Sequence, residues 1–182
     1  NHPQAQHNLG LIYYEGKYIT LDINKAIHYF SLAANQNFPK SQFNLGLIYY
    51  EGKYVKLDIN KAIHYYSLAA NQNLQQAQFN LGFICYEEKY VTGNIDKAIY
   101  YFSLAANQNN LKAQFILGVI YLEGKYVTPD IDKAIHYFSA AANQNFLLAL
   151  SSLGRIYSNG KYVTRDINKA IYYYSLASNQ ND

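Results

Sequence analysis

The sequence predicts an all-α fold, an α/α superhelical solenoid of five 36-residue helix-turn-helix repeats, and three observations carry that prediction. The ten residues LGLIYYEGKY at Leu9–Tyr18 recur unchanged at Leu45–Tyr54, and altered copies begin at Leu81, Leu117 and Leu153. The register is strict: Gly10, Gly46, Gly82, Gly118 and Gly154 stand 36 residues apart, and so do Lys25, Lys61, Lys97, Lys133 and Lys169. Within each copy two stretches carry apolar residues at helical spacing, and strand signals are missing. Exact self-similarity at periods of roughly 20–50 residues belongs to stacked repeats, because one short hairpin cannot bury its own apolar faces. The copies fill residues 1–36, 37–72, 73–108, 109–144 and 145–182 as a single repeat domain. The chain opens on NHPQAQ and closes on SNQND, the same phase, which predicts a piece of a longer array.

The second repeat shows each element in order. Ser41, Leu45, Ile48 and Tyr49 fall at i, i+4, i+7 and i+8 and predict the core face of a first helix, helix A. Ala5, Ala77, Ala113 and Ala149 share the column of Ser41, so the position asks for a small residue. The serine hydroxyl is expected to bond back to the preceding turn. Pro39 marks the first turn, where its missing N–H has no partner in any case. Gly46 is expected where a Cβ would hold two helices apart, and Gly52 where the chain turns left-handed to end the helix. After the loop KYVKL, Asp58 predicts the N-cap of helix B, with Lys61 three residues on as its ionic partner. Ile59, Ala62, Ile63, Tyr66, Ala69 and Ala70 form the apolar face of helix B, and Asn60, Lys61, His64, Ser67 and Asn71 its wet face. Asn73 closes the repeat as a left-handed cap, the choice after glycine.

Composition narrows the function by exclusion. Fifteen Lys and Arg against 12 Asp and Glu leave a net charge of +3, interspersed, without the basic block that marks nucleic-acid or lipid binding. No apolar run approaches the ~18 residues a membrane helix needs, so no membrane insertion is expected. A single cysteine, Cys85, rules out a disulfide within the chain. With no Asn-x-Ser/Thr sequon, the compartment is left open, the cytoplasm slightly favoured. His28, His64 and His136 share one column but stand a repeat or more apart, unlike ligands converging on one metal. No phosphate loop and no nucleophile motif is present, so neither an enzyme nor a cofactor is expected.

The segments LGLIYYEGKYVKLDINKAIHYYSLAA of repeat two and AQFNLGFICYEEKYV of repeat three resemble the Sel-one-like repeat (SLR) family, a relative of the tetratricopeptide repeat with a longer inter-helix loop. Leu45, Gly46, Tyr49, Gly52, Val55, Asp58, Lys61, Ala62, Tyr66, Ala69 and Ala70 carry the resemblance, and it extends over all five repeats. Tyr54 and Asn73 stand where the family has further glycines. The resemblance implies a right-handed superhelix and a scaffold or adaptor whose concave helix A side holds a protein or peptide partner. One branch of the family is rich in paired cysteines and linked to penicillin binding; with one cysteine, this chain does not share its staple.

Helix A carries a second apolar strip, edged by polar residues: Phe43, Asn44, Leu47, Tyr50 and Glu51 in repeat two, and Phe79, Asn80, Phe83, Tyr86 and Glu87 in repeat three. Repeat four continues it with Phe115, Val119 and Leu122. A helix apolar all round is either covered on both sides or presents a groove. The strip is therefore read as a partner-binding groove, with packing between repeats as the alternative. In repeat five Ser151, Ser152, Arg155, Ser158 and Asn159 make the strip polar, which predicts a groove that changes character, or a cap. Ile171, Tyr174 and Leu176 would leave the last helix with an apolar face open, a route to end-to-end self-association. In repeat three Glu88 replaces the helix-ending glycine and Cys85 the core tyrosine, which predicts the softest repeat, with drift after duplication as the bland alternative. A rigid spacer is the second function expected. RNA binding ranks third, because Glu15, Glu51, Glu87 and Glu123 would repel phosphate beside the groove.

Overall fold

The computed structural model describes residues 2–87 and 94–179. All regular structure there is α-helical: α1 (Pro3–Glu15), α2 (Ile23–Ala34), α3 (Pro39–Glu51), α4 (Ile59–Asn71), α5 (Gln75–Tyr86), α6 (Ile95–Asn107), α7 (Leu111–Glu123), α8 (Ile131–Ala142), α9 (Leu147–Asn159) and α10 (Ile167–Ser178). The fold is the expected helical solenoid type, its hairpins arranged in two compact units. Asn1–Asn94 holds α1–α5 and Ile95–Asp182 holds α6–α10. Within each unit a hairpin stacks on the next through its second helix, as α2 does on α3 and α8 on α9.

Local chemistry sets the helix ends. Asp22, Asp58, Asp130 and Asp166 each accept a bond from the backbone N–H three residues on, at 3.0 Å. The same carboxylates reach the lysine ammonium at 3.1–3.8 Å. Gly52 ends α3 at φ 62, and Asn37, Asn73, Asn109 and Asn145 close helix B at φ 58–63. α5 stops one residue early: Glu87 is extended at φ −77, where the matching Glu51 is still helical. Glu88, expected to strain a left-handed turn there, lies outside the described residues.

In the hairpins whose two helices lie in one unit, a large ring of helix B is seated on the glycine of helix A. Phe30, Tyr66, Phe102 and Phe138 are fully buried. A Cβ on Gly46 would stand 2.6 Å from the Tyr66 ring, and one on Gly118 2.6 Å from that of Phe138. The glycine column therefore admits a ring, rather than only bringing backbones together. Two expectations are revised. Tyr49 is half-buried instead of core: its ring stacks on Tyr65 at 5.9 Å and 6°, with the Lys61 ammonium 4.8 Å from its centre. Tyr13, Tyr121 and Tyr157 repeat that sandwich with Tyr29, Tyr137 and Tyr173. Cys85 is half-buried in the same column and has no ring to stack. The Ser41 hydroxyl bonds Nδ1 of His7 at 2.9 Å, not the preceding turn.

A candidate protein-binding face on helix A

In the first unit the strip on α3 and α5 is neither buried nor bare. Phe43, Asn44, Leu47 and Tyr50 on α3 are half-buried, and Glu51 is exposed. Phe79, Asn80, Phe83, Tyr86 and Glu87, the last just past α5, are half-buried too. Phe43 and Tyr50 both lean on the ring of Tyr66, with centroids 5.6 and 6.4 Å apart. Phe79 stacks on Phe83 at 6.3 Å. Each ring thus has one side fixed by its own hairpin and another toward solvent, which holds an apolar surface in place.

Polar groups edge this surface. Tyr14 of α1 donates its hydroxyl to Oε2 of Glu51 at 3.4 Å and meets the ring of Tyr54 edge-on at 6.2 Å, tying neighbouring repeats together. Burial first, and the Glu51 carboxylate second, push the Tyr14 hydroxyl above its ordinary pKa, so it stays a donor. Below the strip the Tyr66 hydroxyl is buried without a hydrogen-bond partner, and the Asn80 side chain bears on it from α5 out of bonding geometry. Burial raises the pKa of Tyr66 strongly, which keeps it protonated.

In repeat four, within the second unit, one of these columns differs. Leu122, expected in the groove, is 8% exposed and belongs to the core cluster with Phe138 and Leu153; it is withdrawn from the surface because the hairpin closes over it. Phe115 packs on Phe138 and Phe146 at 5.6 and 5.4 Å, and Val119 lies against the same cluster. On α9, Ser151, Ser152 and Ser158 are half-buried, while Arg155 and Asn159 are exposed. The structure thus leaves the strip residues of repeats two and three half-open except exposed Glu51, keeps Phe115 and Val119 of repeat four half-buried, and absorbs Leu122 into packing.

Two features escaped the sequence reading. His7 holds the column of Phe43, Phe79 and Phe115 and is 5% exposed, between the rings of Phe30 and Phe38. Burial, and then the charge of Lys40, lower its pKa. Gln42, Gln78 and Gln114 are buried at the junctions between hairpins. Gln42 donates to the Ala34 carbonyl at 3.3 Å and accepts from Gln72 at 2.7 Å, so one amide ties two repeats. A polar residue returning every 36 positions inside an apolar helix was the available signal. Two clefts of ≈ 580 and ≈ 500 Å³ also open beside the loops at Tyr13–Lys25 and Tyr49–Lys61. Asp22, Lys25, Asp58 and Lys61 among their lining residues are already engaged in capping and pairing. His28, His64 and His136 are exposed, and no cluster of three or more metal-ligating side chains occurs among the described residues. Nor is any described helix long and apolar enough to cross a membrane.

Comparison with known proteins bears on this geometry. The model of the Sel1 repeat matches residues 3–38, 39–74, 75–110, 111–146 and 147–182. A protective antigen of uropathogenic Escherichia coli displaying an SLR fold is 33% identical, with a TM-score of 0.93 over 100% of this chain and 39% of its own. The chain therefore spans well under half of that antigen. A Sel1 repeat protein of Oxalobacter formigenes is 31% identical, with a TM-score of 0.86 over 100% of this chain and 74% of its own. Cysteine rich protein B of Helicobacter pylori is 30% identical, with a TM-score of 0.53 over 72% of this chain and 94% of its own. No functionally curated protein matches the sequence.

Proposed function

The chain belongs to the Sel1 repeat family, and on that footing we propose that it is a non-catalytic adaptor that holds a segment of a partner protein on the helix A face of its first unit. Sel1 repeat proteins are generally protein-interaction scaffolds and generally not enzymes. The observation that carries the reading here is the half-buried aromatic strip Phe43, Leu47, Tyr50 and Phe83, fixed from behind by Tyr66 and edged by Asn44, Asn80 and Glu51. An apolar anchor surface with carboxamides beside it suits an extended peptide or one face of an amphipathic helix, which offer apolar side chains and polar edges together. Arg155 belongs to the face offered in the second unit, where the polar columns of α9 favour a more polar stretch of partner. A second copy of the chain is a further candidate partner.

A rigid spacer is the second reading, favoured by the burial of Leu122 in the second unit. RNA is disfavoured because Glu51 stands exposed at the strip, and Lys25, Lys61, Lys133 and Lys169 lie against tyrosine rings and cap carboxylates. The test is affinity capture with the chain as bait, with and without RNase, against Leu47→Asp/Phe83→Asp and the milder Asn44→Arg. Circular dichroism checks that each bait is folded. A protein bound by wild type, lost by the folded variants and insensitive to RNase supports the adaptor. Identical captures by all baits would return the molecule to the spacer reading.

A further inference from the structure

Helix α9, LLALSSLGRIYSN, carries a single charged residue, Arg155. Its column holds Leu11, Leu47, Phe83 and Val119 in the other repeats, so a guanidinium stands where the strip is otherwise apolar. The carboxylate at the end of helix A in those repeats, Glu15, Glu51, Glu87 and Glu123, gives way here to the neutral Asn159. Asn159 lies four residues from Arg155, the spacing at which a glutamate would pair with it along the helix. Among the described residues the Arg155 guanidinium makes neither a hydrogen bond nor an ion pair, with Glu123 of α7 or any other group. Arg155 is exposed. Its column stays open in mid-array too: Leu47 is only half-buried, although its hairpin is packed by α2 on one side and by α5 on the other.

Helical side chains lean back over the preceding turn, which for Arg155 carries Ser151 and Ser152. Both serines are half-buried, and neither hydroxyl has a hydrogen-bond partner among the described residues. Asn159 accepts the Lys161 N–H through Oδ1 at 2.9 Å, which leaves its amide hydrogens to donate. Ser158 donates to the Arg155 carbonyl at 3.1 Å and takes no part. One full positive charge is thus set among neutral donors, on a helix without a carboxylate. Resting on the adaptor reading, we propose that Arg155 receives an aspartate or glutamate side chain of the partner segment, with Ser151, Ser152 and Asn159 donating to its oxygens. The guanidinium fork meets both oxygens of a carboxylate at once, and one charge matches one charge. A phosphate monoester brings about −1.5 to −2 against a single cation, and a nucleic acid asks for more cations still. Phe115 and Val119 of α7 lie half-buried against the cluster that holds Leu150 and Leu153 of α9, and the Phe115 ring stands 5.4 Å from that of Phe146 at the start of α9. The segment that suits the second unit therefore sets an acidic side chain next to an apolar one.

A displayed library of random peptides, selected in parallel on the 182-residue chain and on its Arg155→Gln variant, tests this. Far-UV circular dichroism checks every variant for folding. Selected sequences are then made as acetylated, amidated peptides, free of terminal charge, and their Kd is read by fluorescence anisotropy. The wild type is expected to enrich peptides carrying an Asp or Glu that Arg155→Gln does not enrich. Each should lose about fivefold in affinity on Arg155→Gln. Replacing its acidic residue by the amide should cost the same, and combining both changes should cost no more. Asn159→Glu, which restores the carboxylate of the other repeats, should weaken the same peptides with Arg155 intact, because the new glutamate competes for the guanidinium. Enriched peptides without an acidic residue, or acidic ones bound equally by Arg155→Gln, would overturn the proposal. So would tighter, Arg155-dependent binding of phosphoserine in place of the acid, which belongs to a phosphopeptide site. Peptides lost on the folded Leu47→Asp/Phe83→Asp variant but indifferent to Arg155→Gln would keep the adaptor reading and end this one. A library from which neither bait enriches anything would end both.

Discussion

At the scale of the residue, departures from the repeat explain one another. Ser41 breaks a column of alanines and His7 breaks a column of aromatic residues, and the two meet in a buried hydrogen bond of 2.9 Å. Either alone reads as drift; only contact between repeats shows them as a pair. Because burial depresses the His7 pKa, the unfolded chain binds its proton more readily than the folded one. Stability is then full above the ordinary histidine value of about 6.5. It falls as pH drops below that value and levels off below the depressed folded pKa. Urea titrations at stepped pH should show this slope, and His7→Phe/Ser41→Ala should flatten it by restoring what other repeats carry. Gly46 makes the second prediction at this scale. Alanine gains about 1 kcal/mol of helix propensity, but its Cβ would meet the fully buried Tyr66 ring at 2.6 Å. Overpacking of about 1–3 kcal/mol should win, and a lowered urea midpoint for Gly46→Ala would show it.

At the scale of the element, the sequence was most legible, because caps and turns are decided within a few residues. Asp58, Gly52, Pro39 and Asn73 do in the structure what their positions foretold. The cap and the ion pair of Asp58 can be separated. The pair with Lys61 is exposed and worth a few tenths of a kcal/mol, whereas the cap bond to the Lys61 N–H is worth about 1 kcal/mol. Asp58→Asn keeps the cap and should cost little; Asp58→Ala should cost about 1 kcal/mol, measured by chemical denaturation. Equal losses would mean that the charge, not the cap, carries the effect. Periodicity misjudged Tyr49, because a tyrosine at core spacing can also lie flat on a neighbouring ring under a lysine. It also passed over Gln42, since a buried amide becomes tolerable only when Ala34 and Gln72, from other helices, satisfy it.

At the scale of the whole molecule, stability in stacked repeats is a sum of hairpin terms and neighbour terms. Amide hydrogen exchange should therefore be slowest in α3, α4, α7 and α8, each packed by a helix on either side within its unit. Exchange in these four helices as fast as in the loops between helices would contradict that additive picture. The strip on helix A shows where sequence reasoning stops. Tyr50 and Leu122 hold the same column, yet Leu122 is drawn into the core in the second unit while Tyr50 stays half-buried in the first. By itself the sequence determined the period, the hairpin and the caps, all short-range or repeated often enough to stand out. Only the tertiary structure decided which apolar face of helix A is covered and that His7 belongs with Ser41. Those outcomes depend on residues about a repeat or more apart, whose burial is set by the neighbour that packs on them and not by the pattern along their own helix.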